Sequence, residues 1–431
     1  MEMEAATERV VQVRFTTKLP PQLRVVATPF SVPAKLTRYG LSDVVNSLLG
    51  LEKPQPFDFL VDGELVRTSL ENLLLSKKIS AETTLTIEYV PAIAPPDPQE
   101  PRVHDDWVSA VDGSFPRFLI SGSYDSFARV WNTAGQCIFL LEGHRDAVTS
   151  LATVPPPGSK ADQFKLVTAS KDHSLHLWQV GEEESTTSTT TIRPVKLFKG
   201  HKASVQSISA SPSGSEVCSG SWDATIKLWR LTGEPDVEDD SAYKKRKLNG
   251  MGAIEHSDLQ VEATTTLDGH TQCVGAVVWA ESQTIHSASW DHSLRSWDVE
   301  TSVNTTTLTC SKALHCLSVG GVGSSLLAAG GADPVLRIWD PRIPGTVAPA
   351  LQLSSHKSWI SACKWHSSSI HHLLSASYDG TIKLWDTRSK VPLHTLQAHK
   401  DKVLSADWWK EDSIISGGAD AQLQVFSNLR L

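Results

Sequence analysis

A histidine held near a carboxylate is the usual material of acid–base or metal chemistry, and this chain repeats that combination several times. His144, His201, His270, His356 and His399 precede Asp172, Asp223, Asp291, Asp379 and Asp420 by 21 to 28 positions. Six positions beyond each of these aspartates stands an aromatic ring: Trp178, Trp229, Trp297, Trp385 and Phe426. Asp125/Trp131 and Asp333/Trp339 keep the same count without a Gly-His pair upstream. A reactive centre is built once, whereas a device repeated at a fixed period belongs to the scaffold. We therefore read His144, Asp172, Trp178, His201, Asp223, Trp229, His270, Asp291, Trp297, His356, Asp379 and Trp385 as buried polar networks, each closed by a serine of the preceding strand.

The seven aspartates lie 41 to 68 residues apart, which is the spacing of a seven-bladed WD-repeat β-propeller. The segment Ser375–Asp386 shows the plan most plainly: an apolar strand, a polar turn at Asp379, then a strand alternating Ile382 and Leu384 with Thr381 and Lys383. Blade 1 offers only His104-Asp105-Asp106-Trp107 upstream, and blade 5 has Thr309-Cys310-Ser311-Lys312 where the histidine would fall, so their networks are expected to be incomplete. Blade 7 has no outer strand of its own after Ser427. A ring cannot leave that edge open. The Pro-rich segment 90–102 is the one unassigned stretch near blade 1, and proline is tolerated on an outer edge, so Pro91 to Pro95 is expected to close the ring.

The first residues do not repeat. Residues 1–9 are expected to be disordered and 10–89 to form a separate α+β domain. Its expected elements are a strand Val11–Phe15, a second near Leu23–Ala27, a helix Asp43–Leu49 capped by Ser42 and ended by Gly50, a hairpin around Asp62-Gly63, a helix Leu70–Leu75 opened by Ser69, and a strand Thr84–Tyr89. This is the element order of ubiquitin, without its conjugation tail.

Composition excludes more than it assigns. A net charge of −8 is too acidic for unspecific nucleic-acid grip by the whole surface. There is no apolar run of membrane-spanning length and no signal-peptide pattern at the N-terminus. Cys137, Cys218, Cys273, Cys310, Cys316 and Cys363 form no Cys-x-x-Cys pair and read as reduced core thiols. The group His366, His371 and His372 lacks a paired cysteine or acid, so no metal is expected there. With no phosphate loop, nucleophile motif or paired acid and base, the chain reads as a non-enzymatic binding platform that needs no cofactor.

The residue before each turn aspartate lies at the His/Asp end of its blade. It is aromatic in four blades, as Tyr124, Trp222, Trp290 and Tyr378, and Lys171, Ala332 or Ala419 in the others. Exposed Trp and Tyr at one end of a ring favour a partner-binding face, here a lopsided one. Between blades 3 and 4 lies an insertion, 233–263, expected to be mobile; it carries Lys244, Lys245, Arg246 and Lys247, a candidate nuclear import signal.

Three stretches carry a more specific likeness: Arg38–Gly50, Pro56–Leu70 and Asp106–Val111. With them, nearly the whole chain resembles the WD-repeat subunit of the pescadillo complex, a eukaryotic ribosome-biogenesis factor. The resemblance implies a nuclear and nucleolar trimer with pescadillo and the block-of-proliferation WD-repeat homologue, acting on large-subunit ribosomal RNA precursors. It also implies that the AAA ATPase midasin grips the ubiquitin-like domain and pulls the factor off pre-60S particles. In the family the carboxylate that completes midasin's Mg²⁺ site is similar to Glu82, with Glu71 and Glu64 as rivals; Mg²⁺ takes such oxygen ligands readily. A Notchless-type factor is the nearest alternative, disfavoured by the count of seven units, and a ubiquitin-ligase substrate adaptor is the next, disfavoured by the lack of an F-box-like helical pair. Direct RNA contact stays open.

Overall fold

The computed structural model describes residues 9–51, 53–80, 83–155, 163–181, 189–231, 260–281, 283–343 and 348–429. Two compact units separate. One comprises residues up to Pro95 with Asp386–Val391, and the other comprises Pro96–Trp385 with Pro392–Leu429.

The first unit is a mixed five-stranded sheet crossed by a helix. Its strands are β1 (Val10–Thr16), β2 (Phe30–Pro33), β3 (Phe57–Val61), β4 (Glu64–Leu65) and β5 (Leu85–Pro91), and its helices are α1 (Arg38–Leu49) and α2 (Leu70–Lys77). The sheet order is β2-β1-β5-β3-β4, with β1 and β5 parallel at the centre. Alternation in β1 buries Val11, Val13 and Phe15 against Leu41 and Val45 of α1 and Leu70 of α2. The β3–β4 turn needs positive φ at two successive residues, which Asp62 (φ 52°) and Gly63 (φ 79°) supply.

Two local expectations are corrected. The second strand is Phe30–Pro33 and not Leu23–Ala27, because Pro20 and Pro21 start a short 3₁₀ turn through Leu23. Helix α1 begins at Arg38, four residues before the expected cap. Ser42 is buried inside it, and its Oγ accepts from the Phe57 amide while Asn46 donates to its backbone carbonyl. Gly50 ends the helix in the left-handed conformation as expected, and Ser69 caps α2 by accepting from the Asn72 amide.

The second unit contains seven antiparallel sheets, whose strands are lettered a to d outward from the axis. The innermost strands are Val108–Asp112, Val148–Val154, Val205–Ala210, Val274–Glu281, Leu314–Gly320, Ile360–Trp365 and Val403–Trp409. Hydroxyl groups on these strands donate to the next blade: Ser109 to Val148 O, Thr149 to Val205 O at 2.6 Å and Ser361 to Val403 O at 2.6 Å. Between the last and first blades the Val111 amide donates to Ser405 Oγ at 3.2 Å. Glycine is required at that seam, since a Cβ on Gly417 would lie 2.7 Å from the Val108 carbonyl oxygen. The strand-c rings Trp178, Trp229, Trp297, Trp339 and Trp385 are the largest fully buried side chains. At 150–250 Å² of mostly apolar surface each, they contribute about 4–6 kcal/mol apiece before entropy is subtracted.

The closing strand differs from the expectation. Pro91 belongs to β5, and the outer edge of blade 7 is covered by two short pieces further along, β6 (Asp97–Pro98) and β7 (Arg102–Val103). They pair antiparallel with Gln422–Ser427 at Ser427↔Asp97, Phe426↔Pro98, Leu423↔Arg102 and Gln422↔Val103. Residues 91–95 cannot serve because the N-terminal sheet already uses the start of that stretch. Two further edges are covered in a way the sequence did not announce. Thr190–Ile192 adds in parallel to strand d of blade 1 (Cys137–Leu141), and Gln260–Val261 adds in parallel to strand d of blade 2 (Lys196–Lys199).

Candidate docking face and its supporting networks

The sequence places a histidine just before strand a, a hydroxyl in strand b, an aspartate at the b–c turn and a tryptophan in strand c, and the four meet. In blade 3 His201 Nδ1 lies 2.9 Å from Asp223 Oδ2, its Nε2 lies 2.7 Å from Ser219 Oγ, and Trp229 Nε1–H donates to the same Oγ at 2.8 Å. A carboxylate only accepts, so His201 donates from Nδ1 to Asp223, and Ser219 Oγ links the imidazole to the indole. The remaining sites on Asp223 are filled by Lys202 N–H, Thr225 N–H and Thr225 Oγ1–H. Burial alone would raise this carboxyl, but the hydrogen bonds from His201, Thr225 and Lys202 outweigh it and hold the group well below the usual carboxylate range.

The same arrangement recurs with His144, Asp172, Thr168 and Trp178, with His270, Asp291, Ser287 and Trp297, and with His356, Asp379, Ser375 and Trp385. In blade 7 His399 bridges Asp420 and Ser416, while Phe426 supplies no donor. Aspartates that accept from a histidine, two backbone amides and a hydroxyl, as in blades 2 and 3, fix their turns.

Blades 1 and 5 are incomplete in different ways. His104 does reach Ser121 Oγ at 2.8 Å, and Trp131 donates to that same hydroxyl, but His104 Nδ1 has no hydrogen-bond partner. Burial first, then the nearby Arg129 charge, lowers His104 to about 4. In blade 5 Ala329 replaces the serine, leaving Trp339 Nε1 without a partner. Both blades hold the turn aspartate with an arginine four residues on, Arg129–Asp125 at 2.7 Å and Arg337–Asp333 at 2.5 Å.

Among the described residues one trio has metal-ligand composition, His144, Asp172 and His176, with candidate atoms within 4.8 Å of one another. The geometry refuses a metal. The two imidazoles are stacked, 3.7 Å between centroids and 6° from parallel, so their in-plane lone pairs point along parallel lines and cannot meet at one ion about 2 Å from each nitrogen. Burial first, then the charge a protonated His144 would carry, lowers His176 to about 3. His366 and His372 are occupied by hydrogen bonds: His366 to Glu411 O, Ser368 N and Ser369 N, and His372 to Ser369 Oγ.

These networks fix the ends of the blades, and what they present is aromatic. The residue before each turn aspartate donates its amide to the carbonyl of the third residue after the histidine position: Tyr124 to Trp107, Lys171 to Ala147, Trp222 to Ser204, Trp290 to Cys273, Ala332 to Ala313, Tyr378 to Trp359 and Ala419 to Lys402. Each blade thus offers a pair of neighbouring side chains. Trp222 meets Trp290 edge to face at 4.7 Å, Trp290 meets His315 at 5.2 Å, His315 stacks on Trp359 at 5.6 Å, and Trp359 stacks on Tyr378 at 6.0 Å. Lys402 Nζ stands 5.4 Å over Tyr378, Lys171 Nζ 4.0 Å over Tyr124, and Trp107 packs on Tyr124 at 5.3 Å.

Of the expected four rings, Trp222, Trp290 and Tyr378 are joined through His315 and Trp359, and Tyr124 pairs with Trp107; the sequence reading passed over these three connecting residues. A readable signal existed for the two tryptophans, which share the third position after the histidine. His315 had none, and it fills the gap that Ala332 would have left over blade 5. Trp222, Trp359 and Trp107 are 49%, 48% and 40% exposed, a large apolar area to leave in water on one face. Tyr124, Trp290, His315, Trp359 and Tyr378 also line the mouth of the axial channel, a cavity of about 500 Å³. Deeper in that channel Lys364 Nζ stands 3.4 Å from Asp407 Oδ2. The other sequence candidates, Glu82 and the run Lys244, Lys245, Arg246 and Lys247, lie outside the described residues, as does most of the 233–263 insertion.

Comparison with known proteins agrees with this division. Residues 11–74 match the NLE (NUC135) domain, and six segments, 99–132, 135–179, 192–230, 262–298, 348–386 and 390–427, match the WD domain, G-beta repeat. Blade 5, which lacks the histidine and the strand-b serine, falls between the matched segments. The chain is 54% identical to an Arabidopsis thaliana protein named ribosome biogenesis protein WDR12 homolog, over 98% of each chain. It is 39% identical to the Nematostella vectensis protein of that name over 96% of this chain and 99% of the relative, and 34% identical to ribosome biogenesis protein YTM1 of Candida glabrata over 98% of each.

Proposed function

Since the chain belongs to the WDR12/YTM1 family of ribosome biogenesis proteins, we propose that it is a non-enzymatic assembly factor for the large ribosomal subunit. In this reading it works in the nucleus and nucleolus within a pescadillo complex, and maturation of large-subunit ribosomal RNA precursors depends on it. The single observation that carries the scaffold role is the continuous aromatic arc from Trp222 to Tyr378, whose Trp and Tyr members stand on saturated His/Asp turns. Such a surface suits stable protein association, where Trp and Tyr supply most of the energy. We assign it to the pescadillo and block-of-proliferation partners.

The N-terminal unit serves release: Glu82 completes the Mg²⁺ site of midasin, and Lys244–Lys247 direct import. Affinity purification of the tagged full chain from nuclear extract tests the assignment. Recovery of the pescadillo and block-of-proliferation homologues with large-subunit precursors is expected; recovery of cullin machinery instead would make the chain a ligase adaptor. Glu82→Ala should keep the propeller partners and lose midasin; retained midasin binding would exclude Glu82. Changing all four basic residues to alanine should abolish nuclear enrichment, and normal import would remove that role.

A further inference from the structure

Arg102, in the closing strand β7, is buried to 7% exposure and forms no ion pair among the described residues. Its guanidinium stands near two indoles, 5.6 Å from the Trp131 centroid and 5.9 Å from that of Trp409. Its Nη1 has no hydrogen-bond partner, and neither does the buried Nε1 of Trp409. An arginine stays charged even where burial pushes its pKa down, as it does here, so a buried one without an ion pair is disfavoured unless an anion meets it.

A cavity of about 350 Å³ opens beside it, lined by Gln99, Glu100, Arg102, Val103, Trp131 and the turn Thr133–Gly135. Gly135 lies against the guanidinium: its φ of 85° favours glycine, and a Cβ there would make an ordinary contact of 3.6 Å with Arg102 Nε. The N–H groups of the planar fork are what can recognise a ligand.

We propose that this cavity is a carboxylate-binding site, with Arg102 as its anchor. A monoanion fits better than a phosphate dianion, because among the described residues Arg102 is the only cation lining the cavity and Glu100 lines it too. The carboxylate comes from a small free acid or from an Asp or Glu side chain of an acidic peptide segment. The site stands at the joint where the closing strand crosses from blade 7 towards blade 1, away from the aromatic arc, so it is independent of the docking face.

The test uses the full chain with ¹⁵N-labelled tryptophan and follows the indole N–H resonances of Trp131 and Trp409. The probes are sodium propionate, the peptide acetyl-Gly-Glu-Gly-amide, its Gln counterpart, and inorganic phosphate. Saturable shifts with propionate and the Glu peptide are expected, and none with the Gln peptide. A response to propionate alone assigns a small-acid site; tighter binding of the Glu peptide assigns a protein segment. Arg102→Met, which keeps the stacked volume, should weaken binding by roughly tenfold to a hundredfold, the worth of a charge-assisted hydrogen bond. The Glu/Gln contrast needs no variant and stands if Arg102→Met fails to fold. No saturable shift with either carboxylate, equal response to the Gln peptide, or response to phosphate alone would overturn the proposal.

Discussion

Trp222 and Trp290, from neighbouring blades, meet edge to face with their ring centroids 4.7 Å apart, each on a backbone turn fixed by its own histidine and aspartate. Their geometry is set before any partner arrives, so little conformational entropy is lost on binding. Replacing both with alanine is expected to weaken partner affinity by at least about 2 kcal/mol, as for hot-spot residues, with the melting temperature nearly unchanged. Trp359→Ala should act in the same direction. Calorimetric titration of the partner against each variant decides it; unchanged affinity would remove this face as the docking surface.

The blade networks make opposite predictions in blades 3 and 5. His201→Ala leaves Asp223 and Ser219 short of a partner in a buried place and should cost about 2–4 kcal/mol. Ala329→Ser would give Trp339 Nε1 the acceptor it lacks and should stabilise by about 1 kcal/mol. Chemical denaturation of the two variants beside the parent measures both; a destabilising Ala329→Ser would mean the site is too tightly packed for the added oxygen.

The closing strand rests on few hydrogen bonds, among them Gln99 N–H to Val425 O at 2.8 Å and His104 N–H to Ala421 O at 2.9 Å. Gln99→Pro removes the first and should lower stability by about 1–3 kcal/mol. Proline at residue 94, which lies before the paired segment, should have little effect. Thermal unfolding of the two full-length variants distinguishes them.

Acid should weaken the propeller in two separate ranges. Burial, aided at His104 by Arg129, lowers His104 and His286 to about 4 from 6.5. For such a base the neutral form is favoured by folding, so the unfolded chain takes up protons first. Stability is lost as pH falls from 6.5 towards 4, by on the order of 3 kcal/mol per histidine. Asp291 follows below that. Despite the raising effect of burial, the bonds from Ser293, His270 and Thr271 lower it to about 2 from 3.8, so its contribution is present above 3.8 and lost as pH falls towards 2. Stability measured against pH should show both declines, and His286→Phe should flatten only the upper one.

Period and residue type made the blades legible, because every blade carries its turn aspartate with an aromatic ring six residues on, and six of the seven also carry a histidine upstream. The same reading covered half of the docking face, since Tyr124, Trp222, Trp290 and Tyr378 share one repeat position. His315 was invisible: it matters only because it joins Trp290 to Trp359, a tertiary fact with no periodic trace. The closing strand was legible as a need and misplaced in register, because a strand of two short pieces around Pro101 carries no alternation. Arg102 carried no signal in the sequence, because Trp131 and Trp409, whose rings stand near it, are far apart in the chain.

Asp97 and Asn428, which hydrogen-bond at 3.0 Å across that closing strand, are 331 positions apart in the chain. During synthesis the first strand therefore waits while nearly every blade is made, and until Gln422–Ser427 emerges the molecule is an open arc with two raw edges. Joining such distant segments is slow compared with forming each local blade, and the exposed edges invite pairing with other chains in the interval. Completion of the ring is thus a late and separate event, one at which a chaperone holding the N-terminal side of the arc would have the most to protect.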